Sequence, residues 1–258
     1  MNWKEENSKI AQWIKDYATP FGIKGAVIGL SGGIDSAVIA CLAVEAFGKD
    51  NVIGVSIPCQ SREDMNKDAK KLAVNLGIRF QTVQIRKSVA FLADSLKMAH
   101  FEVNELSLAN MKARERMNTL YAIAGPMNYL VVGTGNKSEL MVGYFTKYGD
   151  GGVDMEPLGN YYKTEVYKMA EEMPEIPGNI KVKAPTADLW DGQTDEQELG
   201  MPYSRLDKIL ALMDPYYIWH KAYEDSHDNI TEEEFNKVLG MIQRSDHKNN
   251  LPPRYKRE

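Results

Sequence analysis

Three short apolar runs, at residues 26–30, 51–57 and 79–85, are each followed by a helical stretch, and the unit recurs at about 28 residues. That is the length of a strand, a helix and two short loops. Strands separated by a helix pair in parallel, since a parallel connection needs a crossover and a hairpin does not. Parallel strands are covered on both faces, and residues 26–30 have the unbroken apolar character such burial requires. The third run approaches period-two alternation through Phe80, Val83 and Ile85. The intervening helical stretches are 36–47, stopped by Gly48, and 63–76, followed by Gly77. Two more, 88–99 and 104–124, precede a fourth strand at 129–133. Ahead of the first strand, Trp3, Ile10, Trp13, Ile14 and Tyr17 fall at helical spacing, and Pro20 ends that helix. The prediction is an α/β fold: a doubly wound parallel sheet, Rossmann-like, with flanking helices at both ends.

No composition break divides residues 1–258, so one domain is expected. Residues 174–192 read as a long ordered loop and the polar tail 249–258 as frayed. A charged fraction of 26% beside 43% hydrophobic residues excludes disorder and collagen. With 36 acidic side chains against 31 Lys and Arg, the net charge of −5 argues against a protein that lives on nucleic acid. No segment approaches the ~18 apolar residues of a membrane span, and the start, MNWKEENSK, is unlike a signal peptide. A cytoplasmic location is expected. Cys41 sits in an apolar helical run and reads as a small buried hydrophobe. Cys59 follows Pro58 with no evident His or acidic partner, which favours a structural role.

The chemistry concentrates after the first strand, in the string Gly29, Leu30, Ser31, Gly32, Gly33, Ile34, Asp35, Ser36. A strand end, a glycine pair and a helix start place free backbone N–H groups and the positive end of a helix dipole together, which favours an anion. Ser31 and Ser36 add hydroxyls. The spacing fits neither the Walker A loop nor the dinucleotide G-x-G-x-x-G pattern. Asp35 would repel phosphates unless it holds a Mg²⁺ that bridges them. A plain helix cap, where Ser and Asp are favoured, is the alternative reading of this segment alone.

SGGxDS after a first strand resembles the PP-loop of the N-type ATP pyrophosphatases, the adenine nucleotide alpha-hydrolase-like fold. Further strings narrow the likeness: KARERM at 112–117, GTGNKSE at 133–139, the segment 143–170, KAPTADLWDGQTDEQELG at 183–200 and SDHKNNLPP at 245–253. Together, in this order, they are similar to the ammonia-dependent NAD synthetases. That resemblance implies a ligase that amidates deamido-NAD⁺ to NAD⁺ while ATP is cleaved to AMP and pyrophosphate. It implies that Gly29–Ser36, Thr134, Lys163 and Thr186 contact ATP, with Asp35 and Lys163 as the catalytic pair. It assigns Asp35 and Glu139 to Mg²⁺, and Arg114, Lys147, Asp154, His247 and Lys248 to deamido-NAD⁺. It implies a homodimer with the dinucleotide at the interface. Where the family commonly carries a basic residue after the His-Lys pair, this chain has Asn249 and Asn250.

The residues themselves agree in part. Glu139 stands just past the carboxyl end of a strand, where open α/β sheets place ligands, though a solvated helix-start Glu reads equally well. Lys163 begins a helix with Val166 and Met169 inward, and a Lys there is unfavourable without an anion beside it. In isolation Lys163 and His247 read as surface residues, Arg114 as an exposed helix arginine and Thr186 as a turn cap. Their joint occurrence favours the functional reading. The ~25 residues before the first strand are too few for a separate amidase domain, a size far below the usual domain minimum, so ammonia is the expected nitrogen donor. Another adenylating amidotransferase, a thiolase, or a non-catalytic nucleotide sensor are the alternatives; a thiolase would need partnered cysteines and a basic RNA surface.

Overall fold

The computed structural model of the chain describes residues 1–59, 63–186, 194–213 and 230–255. Four strands, β1 (Ala26–Gly29), β2 (Val52–Ser56), β3 (Arg79–Thr82) and β4 (Leu130–Val131), form a sheet in the order β3-β2-β1-β4. Every pairing is parallel, with Ala26 opposite Val52 on one side and Leu130 on the other. Beyond β4, Val132 bridges Met155 in parallel and draws the segment after it against the sheet.

Side chains alternate across the sheet and define two covering layers. Ala26, Ile28 and Leu30 pack with α1 (Trp3–Ala18), α2 (Ile34–Phe47), α3 (Glu63–Leu76), α7 (Lys163–Glu171) and α8 (Gly178–Lys181). Val27, Ile53, Val55 and Val131 face α4 (Arg86–Met98) and α5 (Glu105–Ala124). The chain runs outward from β1 through β2 to β3, then crosses back to β4 on the other side of β1. Right-handed crossovers therefore put α2 and α3 on one face and α4 and α5 on the other. The order reverses between β1 and β4, so a crevice opens beyond their carboxyl ends. A third cluster lies apart from the sheet: Val142, Leu199, Tyr203, Leu206, Ile209, Leu210 and Val238 join α6 (Lys137–Val142), α9 (Asp195–Leu199), α10 (Tyr203–Met213) and α11 (Glu232–Asn249).

Several boundaries differ from the sequence reading. β3 ends at Thr82, and Val83 and Ile85 lie beyond it; as the sheet edge the strand is mostly exposed, without alternating burial. On α1 the buried stripe is Asn7, Ile10, Ala11, Ile14 and Ala18, which leaves Trp13 and Tyr17 on the flank, 48% and 41% exposed. They stack in series with Phe21 instead of entering the core. Within the expected loop 174–192, α8 forms after Pro177 and buries Ile180, while 187–192 lies outside the described residues. Cys41 is only partly buried, packed against the first cluster, whereas Cys59 is buried in the second. The tail from 250 to 255 has neither helix nor strand, and 256–258 lies outside the described residues.

Candidate active site

Leu30 ends β1 by donating its N–H to Val55 O at 2.8 Å, and the chain then turns through Ser31, Gly32 and Gly33 into α2. Gly32 has φ +80°, and a Cβ there would lie 2.4 Å from the Met65 carbonyl oxygen on α3. Only glycine lets the turn sit this close to a neighbouring backbone. The Gly33 N–H donates to Ser31 Oγ at 3.1 Å, and Ser36 Oγ donates to Gly33 O at 3.0 Å. The two hydroxyls thus brace the loop. Ile34 and Asp35 begin α2 with no side chain capping its amides, and those amides face a cleft of about 410 Å³, within the usual size range of ligand sites.

The opposite wall follows β4. Asn136 caps α6: its Oδ1 accepts from Glu139 N–H at 3.1 Å, while Glu139 Oε2 accepts from Asn136 N–H at 3.2 Å. The Asn136 Nδ2 reaches across and donates to Asp35 Oδ1 at 3.0 Å. A reciprocal helix cap is thereby tied to the acidic residue of the first loop. Lys163, at the start of α7, is 3% exposed and brings its ammonium between the two carboxylates, in contact with Asp35 and 3.5 Å from Glu139 Oε1. The anion beside this lysine is therefore a pair of carboxylates in addition to any ligand. Tyr203 OH is 3.2 Å from Asp195 Oδ2 and 3.4 Å from Glu139 Oε1, and its single proton serves one of them at a time. Tyr144 OH similarly faces Asp195 Oδ1 at 3.2 Å and Glu198 Oε2 at 2.5 Å.

The Lys163 ammonium is set among four acidic side chains, Asp35, Glu139, Asp195 and Glu198, at this end of the cleft. Burial pushes the Glu139 carboxyl up to about 8; Lys163 opposes the shift, and Asp35 and Asp195 add to it. Burial would lower the Lys163 ammonium, but Asp35 and Glu139 outweigh it and hold the amine charged above its ordinary value. Burial also raises Asp195, against Lys163 and the two tyrosine hydroxyls. Among the described residues no group of three or more His, Cys, Asp or Glu side chains gathers for a metal. Asp35 and Glu139 instead offer a two-carboxylate edge that already accommodates a cation. That donor set fits Mg²⁺, which commonly takes one or two carboxylates, several waters and substrate phosphates.

Thr134, Thr186 and Lys248 also line the cleft, with the loop Gly29–Ser36 at its floor. The remaining sequence candidates lie outside its lining. Arg114 is exposed and donates from Nε to Lys147 O at 3.3 Å; Lys147 contacts His247 O and donates to Asn250 O at 3.1 Å. These three form a basic group on the rim. Lys248 Nζ is spent on Gly143 O and Phe145 O, at 2.7 and 2.8 Å. Asp154 stands beside β4, accepting from Val131 N–H at 2.8 Å and from Tyr121 OH at 2.9 Å. Asn249 donates to Leu140 O at 2.8 Å and so holds α11 on α6. Sequence reasoning passed over Asn136, Tyr144, Asp195 and Tyr203. Asn136 was findable, since Asn-x-x-Glu is a capping-box signature; the acidic run at 195–198 looks like any solvated helix start.

A family model described as NAD synthase matches residues 6–252. An NH(3)-dependent NAD(+) synthetase of Methanosarcina acetivorans is 42% identical over 255 residues, 98% of this chain and 98% of that protein. An NMN synthetase from Francisella tularensis superposes with a TM-score of 0.86 at 35% identity, covering 99% of each chain. An NH3-dependent NAD synthetase from Campylobacter jejuni superposes with a TM-score of 0.82 at 27% identity, covering 99% of this chain and 100% of that one.

Proposed function

Because the chain belongs to the NAD synthase family and is an ammonia-dependent NAD⁺ synthetase, we propose that it amidates deamido-NAD⁺ through an acyl adenylate. The observation that carries this reading is the juxtaposition of Asp35, Glu139 and Lys163 at the mouth of an uncapped loop-to-helix turn. A carboxylate does not react with ammonia at a useful rate, because oxide is a poor leaving group. Attack of the nicotinate carboxylate oxygen on the α-phosphorus of ATP forms the P–O bond and expels pyrophosphate. Ammonia then attacks the carbonyl carbon and forms the C–N bond. The C–O bond to the oxygen that attacked phosphorus breaks, AMP leaves with that oxygen, and the nitrogen gives up a proton.

The substrates supply both nucleophiles, so the protein positions and neutralises. The amides from Ile34 to Ser36 and the Lys163 ammonium receive the charge that grows on the departing pyrophosphate. Asn136 keeps Asp35 aimed at the cleft, and Tyr203 and Tyr144 hold the acidic wall in place. Asp35 and Glu139 would hold Mg²⁺, which when bound would supply further neutralisation of phosphate charge. Thr134 and Thr186 lie where ATP would pass, and Lys248 with the rim group Arg114, Lys147 and His247 would take the dinucleotide, Asp154 completing that set.

The rim group Arg114, Lys147 and His247 lies outside the cleft lining, which leaves room for a second copy of the chain to complete the dinucleotide site. Phe91, Leu92, Met98, Phe101 and Leu106, on and between α4 and α5, are all at least 50% exposed and give a homodimer an apolar face to cover. The whole chain is read as one synthetase domain. Among the described residues no helix is long and apolar enough to cross a membrane, in keeping with a cytoplasmic enzyme of small molecules.

Product analysis by chromatography and ³¹P NMR tests the reading, with deamido-NAD⁺, ATP, Mg²⁺ and ammonium. NAD⁺, AMP and pyrophosphate in equal amounts are expected. ADP and phosphate would mean an acyl phosphate and end the adenylate mechanism. Glutamine supporting turnover as well as ammonium at equal free ammonia would end the ammonia assignment. The likeness to the Francisella NMN synthetase favours one second reading, in which nicotinate mononucleotide is the acceptor. The same assay with that mononucleotide in place of the dinucleotide separates the two by kcat/KM.

A further inference from the structure

We infer that Asp207, on α10, is a positioning residue that sets Lys163 and Glu139 relative to one another, acting through Ser138. The inference rests on the roles proposed above for those two side chains. Asp207 is 5% exposed and lies on the face of α10 that buries Leu206, Ile209 and Leu210. A carboxylate among such neighbours is unfavourable unless its oxygens are satisfied. Both are. Oδ1 accepts from Ser138 Oγ at 2.5 Å, and Oδ2 accepts from Thr164 N–H at 2.9 Å. Ser138, fully buried, in turn accepts the Lys163 N–H at 2.9 Å on the same Oγ.

The amides of Lys163 and Thr164 are the orphan donors at the start of α7, which a local Ser, Thr or Asp ordinarily caps. Here the cap position is Tyr162, whose side chain accepts neither amide, and the acceptors come from two other helices. Ser138 immediately precedes Glu139, and Thr164 immediately follows Lys163. One carboxylate therefore fixes the first turns of both α6 and α7. The 3.5 Å separation of Lys163 from Glu139, and with it the contact to Asp35, depends on that fixation. Nothing in holding α10 against α6 and α11 requires this arrangement, since its apolar neighbours already do so. The result is a site whose charged groups keep their spacing by a clamp placed behind them, out of reach of substrate.

The test is steady-state kinetics of Ser138→Ala, Asp207→Asn, the double variant and Lys163→Ala, with thermal melts of each. Asparagine keeps the shape of Asp207 but sets an NH₂ against either the Thr164 amide or the Ser138 hydroxyl. Each single variant is expected to lower kcat about 10- to 100-fold, the range a displacement near 1 Å produces. KM for deamido-NAD⁺ should stay within about threefold, and the loss in kcat should persist at temperatures where the melts show the variant fully folded, which plain destabilisation would not give. The double variant should be no slower than the slower single one, because both changes break one unit. A folded Ser138→Ala with kcat within about threefold of the parent overturns the inference, as do losses that multiply. Ser138→Ala removes a single hydroxyl, so it decides the matter even if Asp207→Asn does not fold. Lys163→Ala that keeps its turnover would overturn the proposed mechanism and this inference with it. Lys163→Ala inactive beside Ser138→Ala active overturns the inference alone.

Discussion

Gly143 closes α6, and replacing it by alanine should separate two parts of the protein by a predictable distance. The residue has φ +68°, and a Cβ built on it falls 2.0 Å from Ser245 Cβ and 2.5 Å from Ser245 Oγ on α11. Carbon atoms rest at about 3.5–4.0 Å, so α11 must retreat by roughly 1.5–2 Å. The left-handed conformation adds about 1–2 kcal/mol for a residue with a side chain. Overpacking of this kind costs about 1–3 kcal/mol. The sum is about 2–5 kcal/mol, and at roughly 2–4 °C per kcal/mol the melting temperature should fall by about 4–20 °C. Retreat of α11 also withdraws Lys248 from Gly143 O and Phe145 O, so KM for the dinucleotide should rise more than KM for ATP.

The assay is differential scanning calorimetry with a double-mutant cycle. Ser245→Gly removes the clashing atom without touching the backbone strain, so the cycle should return a favourable coupling of about 1–3 kcal/mol. A melting temperature for Gly143→Ala within a degree of the parent, or no coupling to position 245, would refute the reasoning.

Asp35→Ala should lower turnover by at least about 100-fold while the far-UV circular dichroism spectrum is unchanged; near-normal turnover would remove Asp35 from its metal role. Burial pushes the Glu156 carboxyl up to about 8 from an ordinary 4.5, with Gly135 N–H opposing the shift. The folded protein then keeps a proton that the unfolded chain has released, so this group's contribution to stability falls as pH rises from the lower value to the upper. Glu156→Gln should therefore lose less melting temperature than the parent between about pH 5 and pH 8, and parallel curves would contradict this. Burial raises the Cys41 thiol to about 12 and also raises Cys59, so neither should react with a thiol reagent at neutral pH until the chain is unfolded. Rapid labelling of the folded protein would refute that.

The sheet was legible because its strands are buried on both faces, and burial leaves an apolar run that no surface helix imitates. β3 was misjudged in extent for the opposite reason: an edge strand has little buried surface, so its pattern carries little information. Trp13 and Tyr17 looked inward because periodicity gives the angle between side chains but not the direction of the neighbouring layer. The loop Gly29–Ser36 was readable from local chemistry, since a glycine pair at a strand end has few uses. Lys163 was not. Alone it reads as a surface lysine, and only the parallel pairing of β1 with β4, and the packing of α7 against α2, bring it to Asp35, which lies 128 positions away. Asp207 was invisible for the same reason: a carboxylate inside an apolar helix face declares a partner but not its identity.

The cleft takes its walls from regions with separate hydrophobic interiors: the sheet layers carry Gly29–Ser36, and the cluster of α6, α9, α10 and α11 carries Lys248. Such units can open independently, each with its own free energy. Amide hydrogen exchange should therefore resolve two levels of protection, the lower one in α10 and α11. Opening of that unit would dismantle the site while β1 and β2 stay folded. A ligand gripping both walls binds only the closed form, so saturating it should raise the lower level toward the higher by mass action. Occupancy of the cleft would then turn a protein with two melting units into one with a single cooperative transition.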